Sequence, residues 1–430
     1  MRTALRVDRS GIAVAARVPP QDENPTRLRA DLQVEDRRID PDDWLAPVRA
    51  LSGTVDLQWR FASLRWIDAM LTGQGWLTLD GAADIEADLR LDHGEIVEGS
   101  TFAIPAAQMR AGILDNVFTG TAHAAGRVTR DADAGLRTAI DIVADRFALA
   151  SGAAPDTLYL RGRDLRLDLV STGDLARFHE DLQARLRFDD AEVPDLRAYN
   201  RYLPERSARL LGGTGAASGD LSLDAAGEMV TGRVQLQGEQ ARIALGPSRL
   251  SGNLQIDSRL ARLQKTGRRY ALEGFDLRVD GVRVEGGDDA LWWARFGLDD
   301  ATLDWREPLQ IDGRGRLDMK DVSVLLDLFA ERSAFPRWIG DLVDSGETRA
   351  TGRLRIRDDE VVFDRIAASN DRIDLQARLR IAGGDPTGDL YARWGVLGLG
   401  VELDDGDRTL HVAGARDWYE SRPALLPDAD

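Results

Sequence analysis

The sequence of 430 residues contains no cysteine. A disulfide framework and a thiolate metal site are therefore excluded, whereas the compartment stays open, because cytosolic and periplasmic proteins can both lack cysteine. Lysine is nearly absent too: only Lys265 and Lys320 occur, so 54 of the 56 basic residues are arginine. With abundant alanine, glycine and aspartate, this bias indicates GC-rich bacterial coding rather than an arginine-based binding function.

Basic side chains are fewer than acidic ones. The chain has 73 acidic and 56 basic side chains, which gives a net charge of −17 at pH 7. Nucleic acid is excluded as a partner, because phosphate binding needs clustered cations and this chain would repel the polyanion. Disorder is excluded as well, since 43 % of the residues are hydrophobic and can bury enough surface to offset chain entropy.

Long hydrophobic runs are missing. The N-terminus lacks the apolar core of a secretory signal, and no stretch approaches the ~20 apolar residues that a membrane-spanning helix needs. The longest apolar run lies near Trp394–Val401 and is rich in glycine. Two readings stay open: a soluble chain that is not exported, or a piece of a longer protein whose anchor lies upstream.

Alternation of apolar and polar residues with a period of two runs through the chain. Examples are Leu28/Ala30/Leu32/Val34, Val55/Leu57/Trp59/Phe61, Ile85/Ala87/Leu89/Leu91, Leu165/Leu167/Leu169 and Leu397/Leu399/Val401/Leu403. Successive strand side chains point to opposite faces, so each run makes one apolar and one charged face. One-sided burial is typical of antiparallel sheets. The sequence therefore predicts an all-β fold, a repetitive antiparallel β array with a few short helical inserts.

A short unit recurs in which glycine is followed by two aliphatic residues at alternate positions. Its copies are Gly219–Leu223, Gly232–Leu236, Gly252–Ile256, Gly315–Met319 and Gly352–Ile356. Between strands, Asp92-His93-Gly94 and Asp280-Gly281 predict hairpin turns. The strands repeat without a rigid period, which favours a quasi-repetitive array over a propeller.

Three segments instead carry apolar residues at helical spacing: 66–71, 196–211 and 322–343. The last two contain a proline, end near glycine as helices do, and lead into a copy of the recurring unit, which suggests an internal duplication. We therefore divide the chain into an N-terminal β array (1–195), a helix-led middle array (196–321), a helix-led C-terminal array (322–415) and a polar tail (416–430).

No constellation of catalytic or metal-ligating residues emerges. The histidines are His93, His123, His179 and His411, and no two share the spacing of a helical metal pair. Asp131-Ala132-Asp133 resembles the start of a calcium loop, but the twelfth position is Ile142, which carries no carboxylate. Gly213–Gly219 runs from a predicted helix into a strand, the reverse of a dinucleotide loop. We expect a protein that is not an enzyme and that has no cofactor and no metal.

The pattern resembles the AsmA-like bacterial envelope proteins, a bridge-like lipid-transfer family with YhdP-like and TamB-like members. The glycine-led strands, the acidic-glycine hairpins and the helix-led inserts carry the resemblance, most clearly in Tyr202–Leu263 and Phe335–Ile381. It implies an elongated, twisted antiparallel sheet curled into a hydrophobic groove, in which phospholipid acyl chains pass between the inner and outer membranes. Members usually begin with a membrane anchor, and many are longer than this chain.

From this resemblance we expect a periplasmic, inner-membrane-associated protein that binds phospholipids and works with proteins of either membrane. The lipid-groove candidates are Leu354, Ile356, Ile373, Leu375, Leu379, Ile381, Leu397, Leu399, Val401 and Leu403. Two alternatives stay open. Closed apolar faces would make the chain an envelope scaffold that binds a protein by strand addition. Aromatic side chains clustered on a wet face would indicate a carbohydrate-active or adhesive protein.

Overall fold

The structure, a computed structural model, describes most of the chain as β-strands. It describes residues 2–8, 11–17, 27–34, 50–65, 77–113, 116–131, 135–172, 178, 180–204, 208–226, 228–245, 248–263, 269–285, 291–320, 346–358, 360–382, 385–404 and 407–427. The first strands are β1 (Arg2–Asp8), β2 (Gly11–Arg17), β3 (Arg27–Val34), β4 (Leu51–Phe61), β5 (Leu77–Asp92), β6 (Glu95–Ile96), β7 (Thr101–Ile113), β8 (Asn116–Asp131), β9 (Gly135–Ser151), β10 (Leu158–Gly162), β11 (Leu165–Thr172) and β12 (Gln183–Val193). The later strands are β13 (Ala208–Leu223), β14 (Met229–Leu245), β15 (Ser248–Arg262), β16 (Arg269–Val284), β17 (Trp292–Asp304), β18 (Gln310–Met319), β19 (Thr348–Arg357), β20 (Glu360–Ser369), β21 (Asp374–Ala382), β22 (Asp385–Trp394), β23 (Leu397–Asp404) and β24 (Asp407–His411). The predicted all-β, repetitive antiparallel fold is confirmed.

The chain divides into two compact units. Unit 1 comprises Met1–Ala191 and Asp220–Val230, and unit 2 comprises Glu192–Gly219 and Thr231–Asp430. Within each unit a strand generally pairs with its neighbour in sequence, as β4 does with β5 and β15 with β16. Strand β9 departs from this rule, because it pairs with β8, β10 and β11. The division into three arrays and a tail stays a prediction.

The alternation of apolar and polar residues gives each strand one buried face and one solvent-exposed face, called here the wet face. In β11, Leu165, Leu167 and Leu169 are 5 %, 4 % and 0 % exposed, while Arg166 between them is exposed. Leu167 and Leu169 lie opposite Ile142 and Ile140 of β9. Directly opposite residues of an antiparallel pair share a face, so the apolar sets of neighbouring strands merge into one layer.

Two-residue β-bulges interrupt several strands of unit 2. Each contains a residue with positive φ: Gln240, Gly281, Asp300 and Arg365, with φ from 48° to 62°. Asp280-Gly281, predicted as a turn between strands, therefore lies inside β16, and that prediction was wrong. Turns and bulges both need a left-handed residue, and glycine and aspartate adopt that conformation most readily.

The bulges explain the glycine in two of the five copies of the recurring unit. Gly252 and Gly352 each lie opposite a bulge of the next strand. A Cβ on Gly252 would lie 2.9 Å from Val282 Cγ2 and 3.0 Å from the Asp280 carbonyl oxygen. A Cβ on Gly352 would lie 3.1 Å from Ile366 Cα. The bulged strand leaves little room for a side chain at these positions, so these two copies begin with glycine.

Cross-strand arginine–aspartate pairs cover the wet faces. Bidentate pairs among the described residues include Arg27–Asp56, Arg60–Asp84 and Arg185–Asp220 in unit 1 and Arg233–Asp257 and Arg316–Asp299 in unit 2. Hydrogen bonds from the Arg185 guanidinium, at 2.8 and 2.6 Å, hold the pKa of the Asp220 carboxyl below its usual value. These side chains are largely exposed to solvent, so each pair adds little to stability and chiefly fixes strand register.

A 3₁₀ helix, Leu196–Tyr202, replaces the helix predicted over 196–211. Strand β13 begins at Ala208 and is joined to the helix by Asn200, whose side chain accepts from the Leu210 N–H at 2.7 Å and donates to the Leu210 carbonyl at 2.9 Å. The second half of that prediction was wrong, because the residues from Ala208 onward belong to strand β13. The helices predicted at 66–71 and 322–343 lie outside the described residues. In the described part of the chain, no helix has the length and apolar character to span a membrane.

A second short helix, α1 (Ala415–Ser421), packs on the polar side of unit 2. Tyr419 is 3 % exposed and stacks on Tyr391 of β22, with ring centroids 6.0 Å apart. Arg378 of β21 lies over the Tyr419 ring at 4.3 Å and donates to its carbonyl at 2.9 Å. Burial raises the pKa of Tyr419 to about 12, although the Arg378 charge opposes part of this rise.

Asp364 fastens the chain that follows α1. This residue lies at the β20 bulge and is 0 % exposed. Its Oδ1 accepts from the Leu425 N–H at 3.1 Å and its Oδ2 from the Leu426 N–H at 3.2 Å. Arg353, opposite Asp364 on β19, donates to the Pro427 carbonyl. Residues 415–427, named here the C-terminal strap, are thus held by side chains of five strands, β19 to β23.

The apolar face of unit 2 becomes exposed at β24. Leu410 lies opposite Val401 and is 51 % exposed, and Val412, just past the strand, is 72 % exposed. Leu397 at the start of β23 is 58 % exposed. Strand β24 pairs with β23. Among the described residues β24 has no second strand partner, so its apolar side chains are exposed beside a sheet edge.

Candidate functional site

Six of the ten predicted groove residues meet in one closed cluster of unit 2. They are Leu375, Leu379, Ile381, Leu399, Val401 and Leu403. Leu379 is 1 % exposed, and the three members on β23 are 4 to 6 % exposed. Ala377 of β21 and Leu390 of β22 lie directly opposite each other and belong to the same cluster. This part of the apolar face is packed as core.

The other four predicted groove residues are dispersed. Leu354 is buried on the same face of β19, and Ile356 beside it is half-buried. Ile373 is half-buried just before β21, where its N–H donates to the Asn370 side chain at 2.8 Å. Leu397 is exposed. The structure therefore does not bring all ten residues into a single lining.

An apolar cavity of about 250 Å³ lies in unit 1 instead. Sixteen of its seventeen lining residues are hydrophobic. The lining consists of Leu57, Phe61, Leu64, Leu79, Ile85, Ala87, Leu89, Ile96, Phe102, Ile104, Ala107, Met109, Ala122, His123, Ala124, Ile140 and Ile142. They come from β4 to β9 and from the chain just after β4. Leu57, Phe102, Ile104 and Ile142 are only half-buried, so apolar side chains of this cavity meet solvent.

Strand register builds the cavity wall. Leu57, Ala87, Phe102, Gly126 and Ile140 follow one another across β4, β5, β7, β8 and β9 as directly opposite residues. A Cβ on Gly126 would lie 2.0 Å from the Phe102 ring. The Phe102 ring therefore occupies the space that a side chain at position 126 would take.

Bulges shape the same region. In β7 the register shifts between Ile104 and Ala107. Pro105 lies at this bulge, where its lack of a backbone N–H is tolerated because the bulge interrupts the hydrogen bonds between the strands. Strand β5 shifts between Ala83 and Glu86. A bulge bends its strand and increases its twist, so these strands curve where the cavity lies.

The described histidines pair with carboxylates on the solvent-exposed faces. His123 lies between Ala122 and Ala124, and its Nδ1 is 3.1 Å from Asp145 Oδ1. His93 pairs with Asp92 at 2.8 Å, and His411 in unit 2 lies 3.4 Å from Glu402. His179 lies outside the described residues. No group of three or more metal-ligating side chains comes together among the residues that the structure describes.

The fold and the site define a class of protein: a repetitive antiparallel β protein with an apolar cavity in one unit and a closed apolar core in the other. No protein-family model matches the sequence, and no curated protein and no solved structure is significantly similar to it.

Sequence reasoning found the strands of the cavity but did not select its residues. Leu57, Phe61, Ile85, Ala87 and Leu89 stand in the alternating runs quoted above. Nothing in those runs separates them from the runs of unit 2. The available signal was the smaller side chains of β7 and β8, including Ala107, Ala122, Ala124 and Gly126, which leave space that the leucine-rich strands of unit 2 fill.

Proposed function

We propose that this chain is a non-enzymatic envelope protein that binds phospholipid acyl chains and supports lipid transport between the inner and outer membranes. The apolar cavity of unit 1 is the observation that carries the proposal. Its lining is hydrophobic apart from His123, whose ring pairs with Asp145 on the solvent-exposed side of the sheet. A ligand that fills such a space must be apolar, because a polar group would lose its hydration without gaining a partner.

The size of the cavity limits what it holds. About 250 Å³ lies just below the ~300–1,000 Å³ of typical drug-sized ligand pockets. The space therefore suits a segment of one acyl chain rather than a whole phospholipid. Each buried methylene contributes about 0.8 kcal/mol, so several of them would hold the chain while the head group stays in water.

The charged wet faces fit a protein that carries lipid through water. Their arginine–aspartate pairs keep the outer surface hydrated, while the alternation turns the apolar set inward. Lipid carriage requires no catalytic side chain. As part of this proposal, the chain works in the periplasm in association with the inner membrane, with partner proteins in either membrane.

The first test is lipid extraction from the purified chain. The full chain is expressed in a bacterium, purified without detergent and extracted with organic solvent, and the extract is analysed by mass spectrometry. We expect phospholipid or fatty acid in a fixed ratio to protein. A lipid-free, monodisperse protein would contradict the proposal.

A matched pair of variants locates the binding. Ala124 lines the cavity opposite Ile104 and Ile142, whereas Ala125 is exposed on the wet face. Ala124→Phe fills the cavity and displaces about two methylenes of the ligand, so bound lipid should fall about tenfold. Ala125→Phe adds the same ring on the other face and should leave lipid content unchanged. If both variants kept the same amount of bound lipid and the circular dichroism of the wild type, the lipid would not lie in this cavity.

The second candidate function is an envelope scaffold that binds a protein by strand addition. The open edge at β24, with exposed Leu410 and Val412, favours it. An added strand would bond to the free edge and cover these side chains. The lipid extraction separates the two functions, since a scaffold would purify without lipid.

A further inference from the structure

Unit 2 has a polar concavity of about 910 Å³ that the acyl-chain proposal does not use. It lies between the start of the 3₁₀ helix and the ends of β13 to β16. Its charged lining residues are Asp195, Arg197, Arg242 and Arg283. Three guanidinium groups against one carboxylate make it locally positive, although the chain has a net charge of −17.

Strand register places two of these arginines on one face. Arg242 of β14 lies directly opposite Ser251 of β15, and Ser251 lies directly opposite Arg283 of β16. Opposite residues have Cβ atoms ~4.5–5.5 Å apart, so the two arginines flank the serine at roughly twice that spacing. Their guanidinium groups can reach one ligand from two sides while the Ser251 hydroxyl meets it from below.

The floor of the concavity is uncharged and polar. It is formed by Thr214, Gln240, Ser251 and Asn253 together with glycines. The β14 and β16 bulges lie here, and their residues Gln240 and Gly281 both line the space. Bulges and glycines leave the floor without large side chains, which is why a hollow forms between the arginines.

Arg242 and Arg283 differ from Arg197, the third arginine of the concavity. Arg197 is bound to Asp195, with Nε 2.7 Å from Oδ2. Within the described part of the chain, neither Arg242 nor Arg283 has a carboxylate at ion-pair distance; Arg242 Nη2 has the Leu211 carbonyl at 3.5 Å. Among the described residues, the Arg242 charge also acts on the Asp195 carboxyl, but neither guanidinium group is held in an ion pair, so both can bind an anion from outside the chain.

We infer that this concavity binds a phosphate ester, with Arg242 and Arg283 holding the phosphate and the polar floor holding its hydroxyl-bearing substituent. Guanidinium groups match the geometry of phosphate oxygens. The volume exceeds what inorganic phosphate fills and lies within the range of small-molecule sites. The same chemistry is offered by a soluble sugar or glycerol phosphate and by a lipid head group. The inference does not rest on the acyl-chain proposal, because the cavity of unit 1 has no part in it.

Titration calorimetry of the full chain tests this site at low ionic strength. The probes are glycerol 1-phosphate, glycerol, and phosphatidylcholine vesicles with and without phosphatidic acid. We expect saturable binding of glycerol 1-phosphate, or of the vesicles that contain phosphatidic acid, and none of glycerol. Arg242→Gln and Arg283→Gln should each weaken the binding about tenfold, as expected for one charge-assisted contact.

Arg137→Gln is the matched control. Arg137 is an exposed strand arginine of unit 1 that lies between Thr129 and Thr172, far in sequence from the concavity. This variant loses the same positive charge and should leave the affinity for glycerol 1-phosphate unchanged. Binding of the soluble ester would identify a free phosphate ester as the source, and binding of acidic vesicles alone would identify a lipid head group. No saturable binding to either probe, or equal weakening by the control, would overturn the inference.

Discussion

Replacing Asp364 with alanine is expected to free the C-terminal strap and to lower the free energy of unfolding by about 3 kcal/mol. The carboxylate is fully buried and accepts the N–H groups of Leu425 and Leu426. Without it, these two donors lose their acceptor in a place that water does not reach. The strap is then held only by the arginine contacts and by the packing of α1.

Urea denaturation and limited trypsin digestion measure the two effects. Trypsin cuts after Arg416 and Arg422 once the strap is free. Asp299→Ala is the control, because Asp299 is an exposed carboxylate near a bulge, paired with Arg316 at 2.8 Å, and its loss should cost less than about 1 kcal/mol. If the two variants lost the same stability and resisted trypsin equally, Asp364 would not anchor the strap.

Raising the pH from 10 to 12 is expected to remove about 2–3 kcal/mol of stability through Tyr419 alone. Its pKa is about 12 in the folded chain against a usual value of 10.0, because burial disfavours the phenolate. The folded state therefore holds this proton more tightly than the unfolded state. The stabilisation is complete below pH 10 and is lost as the pH rises towards 12.

Tyr419→Phe separates this residue from the other tyrosines of the chain. The variant keeps the stacked ring and removes the ionisation, so its stability should fall less than that of the wild type between pH 10 and 12. Urea denaturation at several pH values compares the two chains. Parallel curves would mean that the phenol of Tyr419 reaches water in the folded state.

Local sequence pattern predicted the strands well and the bulges not at all. Alternation depends on a single property, the two-residue period of a strand, and runs such as Leu165/Leu167/Leu169 have no competing interpretation. Asp280-Gly281 has two interpretations, since the same left-handed residue ends a strand in a turn or bends it in a bulge. The choice depends on how far the alternation continues on either side, and here it continues to Val284.

The candidate site was harder to predict because alternation identifies an apolar face and does not show whether that face is covered. Leu379 and Leu57 stand in equivalent patterns, yet one is core and the other lines a cavity. The difference comes from side-chain volume on neighbouring strands. Ala87, directly opposite Leu57, leaves room beside it, whereas leucine and valine of β22 and β23 fill the space beside Leu379.

Pairing between strands that are neighbours in sequence has a consequence for how this chain folds. Most of the ladder contacts join residues within about one hairpin of each other, as in β14 with β15 and β21 with β22. Contact order is then low for a β protein, and hairpins can form one after another without long loops to close. Stability in such an array is approximately a sum over adjacent pairs. Amide hydrogen exchange should therefore show that the array opens in pieces, from its outer hairpins inward, rather than in one cooperative step.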